Sequence, residues 1–132
     1  MTTTRADFGN CRQFILTQQD FDAFARLSGD HNPIHVNPEF AAGTDFGRTV
    51  AHGMLLFSLL RGELMGRFPD YTLKQQSLMF PAPAFADETL TLKLRPTQDN
   101  PAMVSATITR ADGETVLQGD CRLQVIAQDT AK

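Results

Sequence analysis

The chain has 132 residues, 42% of them apolar, and a formal net charge of -3. This is enough apolar material for one core of ordinary density, so a single domain spanning residues 1–132 is expected. An acidic balance gives no general attraction for nucleic acid, which needs clustered Lys and Arg; the longest apolar run, Met54 to Leu60 with Ser58 interrupting, falls far short of the roughly 20 residues that cross a bilayer.

Nucleic acid and membrane are therefore not expected partners. The opening stretch Met1 to Asp7 lacks the apolar segment of a secretory signal, which points to a cytoplasmic location. Thr17 and Asp20 have the spacing of a capping box, so a helix should start there. Phe21, Phe24 and Ala25 follow at helical spacing, and Gly29 suits the left-handed residue that ends a helix. From Asp30 to Val36, Pro33 pushes Asn32 out of helical geometry and removes a backbone donor, which predicts a shaped loop. Asn37 and Pro38 then read as the N-cap and first residue of a short helix that Gly43 can close.

Val50 to Phe68 is apolar nearly all round, the pattern of a central helix surrounded by other structure. Gly53, Gly62 and Gly66 within it each cost about 1 kcal/mol of helix propensity against Ala, so close packing or a backbone contact should account for some of them. After Asp70 the period becomes two. Tyr71 to Phe80, Leu90-Leu92-Leu94, Val104-Ala106-Ile108 and Leu117 to Val125 read as strands, with Asp112-Gly113 as a tight turn. One buried helix followed by an antiparallel meander implies an α+β layer fold in which the sheet curls around the helix. Cys11 and Cys121 have no paired-motif spacing and read as small core residues.

Asp30 and His35 would stand about 140° apart on a regular helix. A proline-bent loop can turn both toward one point, with the Asn32 amide free to hold a backbone or ligand group. The same residues also read as a turn cap, turn chemistry and a packed or surface histidine. His31 and His35 have the i, i+4 spacing of a zinc helix, with Asp30 and His52 elsewhere. Pro33 interrupts the unbroken helix that such a pair requires, so no metal is expected. No Gly-x-Ser-x-Gly elbow exists for serine-hydrolase chemistry. Ser58, in the middle of the central helix, either bonds back to the carbonyl four residues earlier or lines a ligand pocket. His52 is either satisfied at a helix start or takes part directly. Gly53 differs, because an amide in the first turn of a helix points at any nearby anion and can build an oxyanion hole.

The run Leu27-Ser28-Gly29-Asp30-His31-Asn32-Pro33-Ile34-His35-Val36-Asn37, followed by Ala51-His52-Gly53-Met54-Leu55, resembles the MaoC-like (R)-specific enoyl-CoA hydratases. The similarity extends through Gln76-Ser77-Leu78-Met79-Phe80 into Asp87-Glu88-Thr89-Leu90, from Phe14 to about Leu94. One departure is Ala82-Pro83-Ala84-Phe85-Ala86-Asp87, where family members commonly carry Pro-Val and a Gly before the acid, a change expected at the pocket rim. The resemblance implies a hot-dog fold: an antiparallel sheet of about five strands wrapped around one long central helix, dimeric, with the substrate entering near the subunit interface. By position it implies Asp30 and His35 as the catalytic pair, Asn32 as a positioning amide, Gly53 as the oxyanion-hole amide and Ser58 as a residue near the acyl pocket. His52 is grouped with these substrate-binding residues.

The expected reaction is reversible addition of water to a trans-2-enoyl thioester, of coenzyme A or acyl carrier protein, giving an (R)-3-hydroxyacyl thioester. The pair would grip one water, and which member takes the proton depends on their hydrogen-bond partners. The thioester carbonyl is itself the electron sink, so no cofactor is required. The alternatives are a hot-dog acyl-CoA thioesterase and a non-catalytic acyl-thioester-binding module.

Overall fold

The computed structural model describes residues 11–97 and 102–126; Met1 to Asp7 lie outside them. In chain order the elements are β1 (Cys11–Ile15), α1 (Gln18–Ser28), α2 (Pro33–Val36), α3 (Pro38–Ala42), α4 (Gly53–Arg67), β2 (Tyr71–Met79), β3 (Thr89–Pro96), β4 (Met103–Arg110) and β5 (Thr115–Val125). The strands form one antiparallel sheet in the order β1-β3-β4-β5-β2. Five antiparallel strands against one central helix is the hot-dog arrangement. The alternation of β3 to β5 was legible, but β1 was not. Its five residues have mixed burial and no clean period of two, and it is a strand because β3 supplies the register, with Phe14 opposite Leu90.

The seat of α4 on the sheet is set by residue size. One row across the sheet runs Leu94, Ala106, Gly119 and Leu78 on four successive strands. The row narrows to Ala and Gly where Leu60 of α4 comes down. A Cβ on Gly119 would stand 3.0 Å from Leu78 Cδ2 on β2 and at ordinary contact, 3.7 Å, from Leu60 Cδ2, so the tight neighbour at this glycine is the adjacent strand and Leu60 of α4 rests directly above it. Leu56, Leu60 and Leu64, four residues apart, form the buried stripe of α4 and join Leu90, Leu92, Ile108 and Leu117 in the core. Cys121 sits in this core, and burial pushes its thiol up to about 11, with Asp120 adding, so it carries no thiolate at neutral pH.

Two strands carry an extra residue. Leu117 pairs with Ile108 and Thr115 with Thr109, which leaves Val116 as a bulge and buries two consecutive side chains of β5. Lys74 is the extra residue on β2, at the free edge of the sheet.

Local signals upstream of α4 took the expected form. Thr17 and Asp20 close a reciprocal capping box, and Gly29, at φ 83°, ends α1 in the left-handed region. The segment after it differs from the shaped loop expected. Pro33 to Val36 form one helical turn, because proline is tolerated at the first helical position, where its missing N–H is an orphan anyway, and the Asn32 side chain accepts from the Ile34 amide. The central helix starts at Gly53 instead of Val50, since Val50 is drawn into a bridge with Phe85. Gly62 and Gly66 have open space where a side chain would stand, so close packing does not account for them.

Leu60→Ala is expected to lower stability by about 2–5 kcal/mol through the cavity it leaves. Thr17→Ala should cost about 1 kcal/mol as a lost cap, and Leu27→Ala, at a side chain 83% exposed, almost nothing. Urea unfolding of the three variants should return that order.

Candidate active site

Asp30 sits between the end of α1 and the cap of α2. Its amide donates to Ser28 Oγ at 3.1 Å, and its Oδ1 accepts from the Asn32 amide at 3.2 Å. The second carboxylate oxygen, Oδ2, faces His35 Nε2 at 3.9 Å. This exceeds a direct hydrogen bond, yet a single oxygen about 2.8 Å from both atoms satisfies both at an angle of about 90°. Side-chain exposure grades across the pair, 52% for Asp30 and 13% for His35, so the carboxylate meets solvent and the imidazole backs onto protein.

His35 is held through its ring and through its backbone carbonyl. Nδ1 lies 2.8 Å from the Val50 carbonyl. A carbonyl only accepts, so Nδ1 carries the hydrogen, and in the neutral ring Nε2 presents a bare lone pair toward Asp30. The His35 carbonyl accepts from Gln18 Nε2 at 2.9 Å, while Gln18 Oε1 accepts from the buried Thr49 hydroxyl at 2.6 Å. Gln18 thus ties α1 to α2 and to the segment before α4. Sequence reasoning passed over it, because inside a capping box nothing distinguishes it from a solvated helix residue.

The Val50 carbonyl is itself fixed. Val50 N–H donates to the Ile34 carbonyl at 3.0 Å, Ala51 N–H donates to the Ala84 carbonyl at 2.8 Å, and Val50 bridges Phe85. The Ala82 to Asp87 segment, expected at a pocket rim, therefore includes two buried residues that brace the partner of His35. Arg48 lies over the Phe85 ring at 3.9 Å, and the turn closes through Asp87 at φ 65°.

His52 makes the third member of the group. It is 1% exposed, its Nε2 lies 3.1 Å from the Asp30 carbonyl, and its ring stacks on that of His35 with centroids 3.9 Å apart and planes at 23°. Phe24 meets it edge-on at 4.9 Å. Its ring packs behind the pair, against His35 and Phe24. Asp30, His35 and His52 each place one ligand-type atom within 4.8 Å of the others. The two imidazoles are nearly parallel, however, so their in-plane lone pairs run side by side and do not converge on the roughly 2.0–2.1 Å contacts of a shared zinc. The exposed His31 is not in this group.

The remaining candidates separate. Gly53 opens α4, and His52 at the N-cap makes no side-chain capping bond to the first-turn amides. A Cβ at Gly53 would stand 3.2 Å from the Phe80 ring, which explains the glycine by close approach. Asn32 spends its carbonyl oxygen on capping α2. Ser58 is exposed and donates to the Met54 carbonyl at 2.8 Å, the back-bonded reading of a helix hydroxyl. An apolar groove of about 310 Å³ runs between α1 and α4, lined by Leu16, Phe24, Leu27, Leu55 and Leu59 among others; Phe24 connects it to His52, and neither Asp30 nor His35 lines it.

Burial holds the His52 imidazole below the ordinary histidine range, and the neighbouring His35 and His31 add to this against the pull of the Asp30 carbonyl and carboxylate. Between that depressed value and the ordinary value of about 6.5, the unfolded chain binds the extra proton and the folded chain does not. This contribution to stability is complete above about pH 6.5 and is lost as pH falls below it. Urea midpoints for the parent should drop more between about pH 7.5 and 5.5 than those for His52→Gln, whose side chain does not titrate.

Residues 2–116 match the model of the MaoC like domain. An (R)-specific enoyl-CoA hydratase of Aeromonas caviae is 38% identical over 104 residues, 74% of this chain and 78% of that protein. A 3-hydroxybutyryl-CoA dehydratase of Methylorubrum extorquens is 31% identical over 122 residues, 88% of this chain and 77% of that protein. The solved structure of the (R)-hydratase from A. caviae involved in PHA biosynthesis is similar with a TM-score of 0.79 at 32% identity, covering 88% of this chain and 92% of that one.

Proposed function

Because this chain belongs to the MaoC-like domain family, we propose that it is a hydro-lyase that reversibly adds water to a trans-2-enoyl thioester to give an (R)-3-hydroxyacyl thioester. The relatives named above as an (R)-specific enoyl-CoA hydratase and a 3-hydroxybutyryl-CoA dehydratase support the two directions of that reaction. The observation that carries the reading is the facing of Asp30 Oδ2 and His35 Nε2 at 3.9 Å, with Nδ1 of the imidazole committed to Val50.

In this mechanism both groups hold one water. As its oxygen bonds to the β-carbon, an O–H bond breaks and the pair takes the proton. The π electrons of the alkene move through the α-carbon to the thioester oxygen. The pair then returns a proton to the α-carbon on the same face, which makes the addition syn. Negative charge on the thioester oxygen is met by the Gly53 N–H at the positive end of α4. Asn32 serves by holding the turn that carries His35. No step needs a metal or a redox cofactor, and the carrier is coenzyme A or acyl carrier protein.

A second copy of the chain completes the site in this reading. In one protomer the Asp30 carboxylate is open to solvent and β2 ends the sheet with an unpaired edge. Exposed apolar side chains stand at both ends of the β2–β5 pair, Met79 and Phe80 at one end and Val125 and Ile126 at the other, where Val125 lies opposite Tyr71. Pairing two such edges removes both from water and gives a homodimer. No helix among the described residues is long and apolar enough to cross a membrane, and we assign the enzyme to the cytoplasm.

The test is hydration of crotonyl-CoA, followed by loss of the conjugated enoyl absorbance with free thiol measured in parallel. The parent should bleach the absorbance without releasing thiol. Asp30→Asn and His35→Ala should each lose about 10²- to 10⁴-fold in kcat. Equal rates in all three proteins would remove the pair from the mechanism; thiol release would make the chain a thioesterase.

A further inference from the structure

His52 is the one buried titratable group of the site that the reaction above leaves unused. Its surroundings are fully specified. Nε2 must donate, because its partner is the Asp30 carbonyl at 3.1 Å. Among the described residues, Nδ1 is buried without a hydrogen-bond partner. One face of the ring lies on His35 at 3.9 Å between centroids, and Phe24 abuts it edge-on. An orphaned buried nitrogen is expensive, and its cost falls directly against the two groups that carry the chemistry.

We propose that His52 is a positioning residue that acts through both members of the pair, fixing the Asp30 backbone with its Nε2–H and presenting an uncharged ring to the face of His35. The inference rests on the hydratase reading of the site. A second proton on His52 would sit on Nδ1, a buried donor with no acceptor, at the N-cap of α4 where the helix dipole is positive. The titratable groups facing it are Asp30, His35 and His31, and two of these three oppose a positive charge there. With Nδ1 unprotonated, a proton that His35 takes from water meets no like charge across the stack. Asp30, at the exposed end of the site, is kept in place by its main chain, so its Oδ2 stays aimed at Nε2. The orphaned Nδ1 is what makes a histidine necessary: the ring must donate from one nitrogen and carry nothing on the other.

Two variants separate these contributions. His52→Phe keeps a flat ring for His35 and Phe24 but removes the donor to Asp30. His52→Gln keeps a side-chain N–H. With crotonyl-CoA, His52→Phe should lose about 10²-fold in kcat with KM within about twofold of the parent, as expected for a misplaced catalytic group. His52→Gln should recover at least about tenfold of that loss. A folded His52→Phe protein that turns over within about twofold of the parent overturns the proposal, as does a His52→Gln protein no better than His52→Phe. An independent readout uses the parent alone. Imidazole nitrogen spectra between about pH 6 and 8 should show His52 as the neutral Nε2–H tautomer throughout, while a His52 that takes up a proton in that range overturns the proposal whatever the activity. A parent that fails to hydrate any enoyl thioester sinks the hydratase reading instead, and the spectra still decide the state of His52.

Discussion

The 2.8 Å hydrogen bond from His35 Nδ1–H to the Val50 carbonyl joins a one-turn helix to the segment that leads into the central helix, and the chemistry of the site depends on it. Without that bond the imidazole could present either nitrogen. With it, Nε2 alone faces Asp30, as an acceptor when neutral and a donor when protonated. The carbonyl is held in turn by the Val50 and Ala51 amide bonds and the bridge to Phe85. A residue in the loop before β3 therefore contributes to the tautomer of a histidine fifty residues earlier in the chain, through backbone alone.

The site is graded from water to core. Asp30 is exposed, His35 is mostly covered and His52 is buried, with its unpaired nitrogen out of solvent. Such a gradient places the hydrated carboxylate where a thioester and its water arrive, and the uncompensated polar atom where no solvent competes for the ring. Unsatisfied buried groups are rare in folded proteins, and when they occur next to reactive side chains the surrounding packing must over-determine their position. Here the packing is the two-sided contact of His35 and Phe24.

The α4 helix links the site to the sheet. Its first residue carries the amide proposed for the thioester oxygen, and its buried Leu56-Leu60-Leu64 stripe is seated by the Ala106-Gly119 step in the sheet. Leu60 rests over Gly119 in the sheet, and the Phe80 ring stands close over Gly53 at the helix start. A helix packed along its buried stripe in this way holds an oxyanion donor better than a loop could.

Local chemistry was readable wherever a few neighbouring residues decide the outcome. The capping box at Thr17 and Asp20, the left-handed Gly29, the paired Asn37-Pro38 start and the alternation of β3, β4 and β5 all appear as expected, as does the antiparallel sheet on one helix. Pro33 predicts a loop because its ring forbids helix before it, and the same property makes it the first residue of α2. The two motif blocks, Asp30 to His35 and His52-Gly53, were visible as sequence, but their meeting was not. Facing of Asp30 and His35, the tautomer chosen by Val50, the stacking of His52, the anchoring by Gln18 and the pairing of β1 all join residues from different elements. Sequence determines such partners only through the fold, because hydrogen-bond direction and ring stacking depend on distances between segments that no local pattern encodes.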